Sequence, residues 1–411
     1  MSFAGRLFMD VSYTRTQQGN VGITRTVRRL LDELENIAGC KPVVFHRTGF
    51  RLLRSGHGSE GAAGVGSIDS FAGRLFQWLN SAPVRKLVSL LPESVLYKAW
   101  RLNNDLTFDS LSKGEEPVVF QHGDCLVLAD QSWNYRAWLA AQHARVQGAR
   151  VVLVLYDLIP IRHPEFCRSL FTDVFHRWLV RMLVCCDMVM CISAATEADL
   201  HKWCSEEKLP LPRTGHFRLG CDLPEENKGT VREALVRFVR LSKPVFAAVG
   251  TIEPRKNYPM LLRTFEGLWL AGVPAHLLIA GRPTAEEREF VEMLRRHPEQ
   301  GNKLLTLFDA SDQELAYVYA HARALVLPSL AEGFGLPLVE ARSRGCAVIA
   351  NDLASFCELA DEGVFLYRNN DSRELAFLIA SQTSQENVTA LEPMRPFTWR
   401  DSAIAFIDSL Q

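Results

Sequence analysis

Two glutamates eight residues apart, Glu332 and Glu340, flank the stretch Gly333-Phe334-Gly335-Leu336-Pro337. A carboxylate only accepts hydrogen bonds, so it matches a vicinal diol that offers two hydroxyl donors, as riboses and sugars do. A plainer reading has Glu340 capping helix amides and Glu332 solvated. A second polar cluster lies upstream, where "VFAAVGTIEPRKNYPMLL" places Arg255 and Lys256 shortly after an apolar run that ends at Gly250. Arg clamps phosphate oxygens bidentately and Lys adds a compact charge, so adjacent cations at a strand end beside a helix amino terminus suit a diphosphate. The alternative is an exposed pair without a ligand.

Other candidates follow further apolar runs. In "VVLVLYDLIPIRHPEF" a run closes on Tyr156 and Asp157, with Arg162 and His163 beyond. Asp157 could serve as a base or a hydroxyl acceptor, or it could cap a turn or pair with Arg162. His163 stands before Pro164 and also has a structural reading. His122 and Asp124 in "FQHGDCLVL" form a second acceptor-site candidate. The turn "TQQGNVG", with Gly19 and Gly22, precedes a helical pattern and can bring backbone N–H groups towards phosphates, although it is not a G-x-G-x-x-G fingerprint. No Asp-x-Asp and no His/Cys group at metal-ligand spacing occurs in the sequence, so no metal is expected and the diphosphate charge falls to Arg255, Lys256 and helix termini.

The elements that must hold these residues read as two wound sheets in series. At 411 residues the chain exceeds what one hydrophobic core usually supports, which predicts two domains with a ligand cleft between them. In the amino-terminal half, "RLFMDVS", "KPVVFHR", "PVVFQ", "ARVVLVLYD" and "DMVMCIS" read as strands, and residues 23–35 as a helix with Ile23, Val27, Leu30, Leu31 and Leu34 on one face. In the other half, strands at "VFAAVG", "AHLLIAG", "LLTLFD", "ALVLPS" and "AVIAND" alternate with helical patterns. That alternation predicts α/β architecture, with parallel sheets in two Rossmann-like domains, and the motifs above fall at strand carboxyl ends. Residues 51–116 resist the pattern. Part of that stretch, 71–104, mixes Trp and Leu with Arg and Lys, which suits either a helix packed on its own domain or contact with an anionic membrane.

Composition narrows the partners. The net charge of −1 argues against nucleic acid, but it divides into +5 up to residue 240 and −6 beyond, a weak basic bias in the amino-terminal half. Ten cysteines without a CxxC pair suggest reduced, structural thiols and a cytoplasmic setting. No run reaches the ~18 apolar residues of a membrane span, and "MSFAGRLFMDV" meets Asp10 too early for a signal-peptide core, so any membrane contact is expected to be peripheral.

Taken together, "VGTIEPRKN", "LLIAG", "SDQELAYVYAHARALVLPSLAEGFGLPLVEARSRGCAVIANDLASFCELA" and "YDLIPIRHPEF" resemble the retaining GT-B glycosyltransferases of family 4. The resemblance is dense over 243–370 and thinner before it. It implies an acceptor domain at 1–238, a nucleotide-sugar domain at 239–395, and a final helix within 396–411 that crosses back to the first domain. It further implies that Glu340 binds the ribose diol, that Glu332 and the backbone of Gly333, Phe334, Gly335 and Leu336 meet the donor sugar, and that Arg255 and Lys256 hold the diphosphate. Gly22, Gly250 and Gly281 would complete the donor site, with Arg255, Lys256, Glu332 and Asp157 in catalytic roles. Tyr156, Asp157, His163, His122 and Asp124 would line the acceptor side. The family often has His where this chain has Tyr156, which leaves that strand's part in catalysis open.

The opening sequence "FMDVSYTRTQQGNVGITRTVRRLL" resembles bacterial enzymes of surface polysaccharide assembly, often mannosyl- or rhamnosyltransferases. That implies a hexose moved from a nucleotide-diphosphate sugar, GDP-mannose first, to a glycan or lipid-linked glycan at the inner membrane face. A dTDP- or UDP-sugar donor, a GT-B epimerase or phosphorylase, and a non-catalytic nucleotide-sugar binding module are the alternatives.

Overall fold

Strands that lie between helices are covered on both faces, and short apolar runs meet that requirement with few polar side chains to satisfy. The computed structural model describes residues 5–17, 22–53, 104–221, 230–240, 243–384, 392–395 and 397–411. Gly19 and the amphipathic stretch 71–104, apart from its last residue, lie outside them. The strands are β1 (Leu7–Asp10), β2 (Lys41–His46), β3 (Gly49–Leu52), β4 (Glu116–Pro117), β5 (Cys125–Leu128), β6 (Arg150–Leu155), β7 (Met188–Cys191), β8 (Arg213–His216), β9 (Val245–Val249), β10 (His276–Ala280), β11 (Leu304–Leu307), β12 (Ala324–Leu327), β13 (Ala347–Asn351) and β14 (Val364–Tyr367). Among the described residues they form one sheet in the order β4-β3-β2-β1-β5-β6-β7-β8 and another in the order β11-β10-β9-β12-β13-β14.

The second sheet is parallel throughout. The first is parallel from β2 to β8, but β3 and β4 pair antiparallel at its edge, so the expectation of an all-parallel sheet is corrected there. The chain winds outward in both directions from β1 in one sheet and from β9 in the other. The switch points therefore lie between β1 and β5 and between β9 and β12. In open doubly wound sheets, the crevice beyond the carboxyl ends at such a point is where ligands bind.

Two compact units contain these sheets, Met1–Arg218 with Trp399–Gln411, and Leu219–Thr398. Each has its own apolar core. The boundary expected at 238/239 falls earlier because the helix Glu233–Val239 belongs to the second unit. Its Leu235 and Phe238 are buried, the Phe238 ring lies 5.5 Å from His276, and Arg232 pairs with Glu314 and Asp309. The last helix, Trp399–Leu410, is part of the first unit. It packs along the helix Gly22–Ala38, where Val27, Leu30, Leu31 and Leu34 form the buried face, and Phe406 meets Phe217 at 5.1 Å. Among the described residues no helix is long and apolar enough to cross a membrane.

One strand assignment is corrected. "PVVFQ" is not a core strand: it pairs only with the edge strand β3, through β4 and the Val118 amide, which donates to the Phe50 carbonyl at 2.9 Å, and Val119 is exposed, whereas Cys125–Leu128 is wholly buried. Both are short apolar runs, and only burial distinguishes them. As a consequence His122 and Asp124 precede β5 and stand at the amino edge of the sheet, away from the ligand-binding edge. Asp124 is engaged there with Arg6, which donates from Nε at 2.9 Å, and with the Gln121 amide at 2.7 Å. The acceptor-side assignment of this pair does not hold.

Gly281, expected near the donor, has a structural reason to be glycine. It follows β10 where the Gly250 backbone crosses, and a Cβ there would lie 1.8 Å from the Gly250 carbonyl oxygen. Glycine permits that close approach. Gly281→Ala should destabilise the second unit by more than about 2 kcal/mol through backbone displacement. Urea unfolding measures this, and a change below a few tenths of a kcal/mol would contradict the contact.

Candidate active site

The loops after β9 and β12 lie side by side because those strands are neighbours across the switch point. After β9, Gly250 adopts φ 142°, and the chain makes a single 3-10 turn over Pro254–Lys256. Asn257, at φ 54°, then turns it into the helix Tyr258–Leu270. Gly250 lies against the lysine, since a Cβ there would be in ordinary contact, 3.4 Å, with Cε and Nζ of Lys256, and its positive φ is what favours glycine. After β12, Gly335 takes φ 115° against Phe356, and the helix Leu336–Arg342 begins with Pro337 in its first turn. A left-handed backbone packed this closely excludes other side chains.

The loops are joined by backbone and charge. The Leu330 amide donates to the Arg255 carbonyl at 2.7 Å, and Arg255 Nη1 donates to the Ala331 carbonyl at 2.8 Å. Arg255 Nη1 also reaches Glu332 Oε2 at 2.7 Å, Lys256 Nζ donates to Glu332 Oε1, and Ser329 Oγ donates to the same oxygen at 2.8 Å. Arg255 Nη2 meets Glu253 Oε1 at 2.7 Å. Lys256 and the Glu332 side chain are almost wholly buried, 6% and 9% exposed. Glu332 is therefore neither solvated nor isolated; it lies between the two cations expected to bind diphosphate.

Burial alone would raise the Glu332 carboxyl, but Arg255 and Lys256 outweigh it and bring it down to about 2. Burial lowers the Lys256 ammonium, with Arg255 adding to that effect and Glu332 opposing it. Glu332 thus stays ionised at neutral pH and helps keep Lys256 charged.

Glu340, in the helix Leu336–Arg342, is buried and accepts from the Tyr319 hydroxyl at 2.9 Å. Phe334 is buried, so its side chain does not present itself to a ligand. Asparagines that the sequence reading did not single out tie the site together. Asn257 Nδ2 donates to Asn370 Oδ1, the Asn370 amide to Asn351 Oδ1, and Asn351 Nδ2 to the Ser329 carbonyl, at 2.9, 3.1 and 3.0 Å. No spacing signal marks them, because each lies at the end of a different element.

In the first unit the switch point is flanked by Asp10, at the end of β1, and Asp130, just after β5. Both are buried. Asp10 accepts from the Ser12 amide and hydroxyl and from the Tyr135 hydroxyl. Asp130 accepts from Thr14 through its amide at 2.7 Å and its hydroxyl at 3.0 Å, and from the Gln131 amide at 2.8 Å. Burial pushes both carboxyls up, and Asp130's negative field adds to the effect on Asp10. These residues fix Ser12 and Thr14 in the turn just after β1; the sequence reading missed them.

The candidates after β6 are at the carboxyl edge, with different duties. Tyr156 is a buried anchor whose hydroxyl donates to the Ala129 carbonyl at 2.7 Å, so its side chain does not face an acceptor. Asp157 accepts from the Ile159 amide at 3.0 Å in the turn that leads into the following short helix, while Arg162 pairs with Asp199 and Glu206. His163 is part exposed, stacks on Phe166 and contacts Glu165 at 3.2 Å.

Paired parallel α/β units with polar clusters at both switch points define the GT-B fold class. Solved structures agree with that fold. Sucrose-phosphate synthase from Thermosynechococcus elongatus superposes with a TM-score of 0.58 at 16% identity, covering 99% of this chain and 94% of its own. HepE from Anabaena, solved with UDP and glucose, gives 0.56 at 15% identity over 98% and 95%. Residues 236–391, within the second unit, match the family model for glycosyl transferases group 1. The serotype-specific mannosyltransferase WbdA of Escherichia coli is 32% identical over 310 residues, 72% of this chain. The O-antigen chain mannosyltransferase RfbU of Salmonella typhimurium is 24% identical over 54% of this chain and 57% of its own. The chain spans 38% of the length of WbdA.

The Glu332 ion pairs give a pH signature. Its folded-state pKa lies below the ordinary value, so the stability it contributes is fully present above about pH 4.5 and is lost as pH falls towards 2, up to about 3 kcal/mol. Glu332→Gln lacks this component. The gap between wild type and variant in urea unfolding should therefore narrow from pH ~6 to pH ~3. A gap independent of pH would show that the carboxylate is not held between the cations.

Proposed function

We propose that the protein is a retaining glycosyltransferase that moves a hexose from a nucleotide-diphosphate sugar to a hydroxyl of a glycan or lipid-linked glycan, without a metal, during assembly of a surface polysaccharide. The observation that carries this reading is the Arg255–Glu332–Lys256 cluster, with Glu332 and Lys256 nearly buried and Arg255 part exposed, at the switch point of a sheet that matches the glycosyl transferases group 1 model. In this reading Arg255 and Lys256 stabilise the leaving diphosphate, and a preorganised cation in a dry site does so without reorganising at the moment of bond cleavage. Glu332, already ionised, accepts from the sugar's hydroxyls while restraining both cations. Glu340, one turn into the helix Leu336–Arg342, accepts from the ribose diol.

Mannose from GDP-mannose is the first donor assignment, supported by relatives named as mannosyltransferases. HepE, solved with UDP and glucose, makes a UDP-sugar the reading to test against it, with a dTDP-sugar as a further arm. The weak basic bias of residues 1–240 fits work at the inner membrane face with peripheral contact. Transfer to an added glycan separates this activity from epimerisation, nucleotide release independent of free phosphate separates it from phosphorolysis, and turnover of any donor separates it from a binding module.

Arg255→Ala and Lys256→Ala should each lower kcat by roughly 10²-fold, as loss of one preorganised donor does. The measurement is radiolabelled sugar transfer from GDP-mannose, UDP-glucose and a dTDP-sugar to a lipid-linked oligosaccharide. Near-wild-type turnover in either variant would overturn the assignment.

A further inference from the structure

The cations of the proposed donor site are already neutralised by side chains of the protein. Arg255 is gripped from two sides, by Glu332 through Nη1 and by Glu253 through Nη2, both at 2.7 Å, and Lys256 donates to Glu332. Two positive side chains thus face two carboxylates, and the cluster is electroneutral. An anion entering such a site meets no net attraction until one internal anion gives way.

The two carboxylates are not equally able to do so. Glu332 is 9% exposed and receives bonds from Arg255, Lys256 and Ser329. Releasing it would strand a buried charge, which costs several kcal/mol. Glu253 is 26% exposed and sits just before the Pro254–Lys256 turn in extended conformation, with its ion pair to Arg255. Rotation of that side chain towards water leaves the backbone of the turn unchanged. The guanidinium has five N–H donors, so its Nη2 edge can exchange one oxygen anion for another while Nη1 keeps its bonds to Ala331 and Glu332.

We infer that Glu253 is the internal anion that a diphosphate displaces from Arg255, and that it thereby sets how tightly the site holds a nucleoside diphosphate. The inference rests on the donor-site reading above and assigns Glu253 a role in affinity. A carboxylate that competes for Arg255 weakens binding of the spent nucleotide as much as that of the donor. Where nucleotide release limits turnover, such a competitor speeds the cycle. If Glu253 merely held Arg255 in place, its removal would loosen the cation and weaken binding, the opposite sign.

The test is calorimetric titration of the full chain and its Glu253→Gln variant with GDP and UDP, and with guanosine and uridine as probes lacking phosphate. The variant should bind whichever diphosphate the wild type binds about tenfold more tightly, with a steeper salt dependence and no change for the nucleoside. Glu253→Ala should shift affinity in the same direction, and ligand-free melting temperatures check that both variants are folded. Equal or weaker diphosphate binding in folded variants, or an equal gain for the nucleoside, overturns the inference alone. Failure of the wild type to bind either diphosphate removes the donor-site reading, and the inference with it.

Discussion

The second unit is organised around one interaction, a nearly buried glutamate held between an arginine and a lysine. Leaving one of these charges without its partner would cost more than most single contacts contribute, so the surrounding structure must keep all three in register. It does so through adjacency. β9 and β12 are neighbours, their carboxyl ends open at the same point, and the Leu330–Arg255 backbone bond fixes the spacing of the loops that follow. Gly250 supplies the positive φ with which its loop leaves β9, and Gly335 turns the other loop into its helix. The three asparagines link the two loops through their hydrogen bonds.

The first unit uses the same topology for different chemistry. There, too, an acid follows the strand across the switch point and reaches the loop after the first strand of its sheet. Asp130 finds the amide and hydroxyl of Thr14 where Glu332 finds cations. Without a positive partner, burial dominates, and Asp10 and Asp130 are pushed towards holding protons; with two cations, Glu332 is driven the other way. The sign of the shift thus follows from which side chains the neighbouring loop supplies. One arrangement fixes backbone, and the other holds three charged side chains in register.

Much of this was legible in the chain. The alternation of apolar runs with helical periodicity predicted two wound sheets, and each strand expected in the second half is present. Failures came where an apolar run lacked context. "PVVFQ" and "CLVL" are alike locally, and choosing wrongly moved His122 and Asp124 to the wrong edge of the sheet. The polar edge strand Arg213–His216 carried no hydrophobic signal. Tyr156 stands at the expected strand end, but its direction depends on the Ala129 carbonyl, which follows the neighbouring strand β5.

Residue types and order by themselves determined which groups could do chemistry: two cations after one strand, two glutamates around a glycine-rich turn after another, and glycines where the backbone must bend. These are local properties, set by side-chain chemistry and by the backbone freedom of each residue. Only the tertiary structure decided that Glu332 neutralises Arg255 and Lys256, that Glu253 claims the other edge of Arg255, and that Gly281 exists for the sake of Gly250. The physical reason is that charge pairing and steric exclusion act over a few ångströms, and parallel winding brings together residues some seventy-five positions apart in the chain.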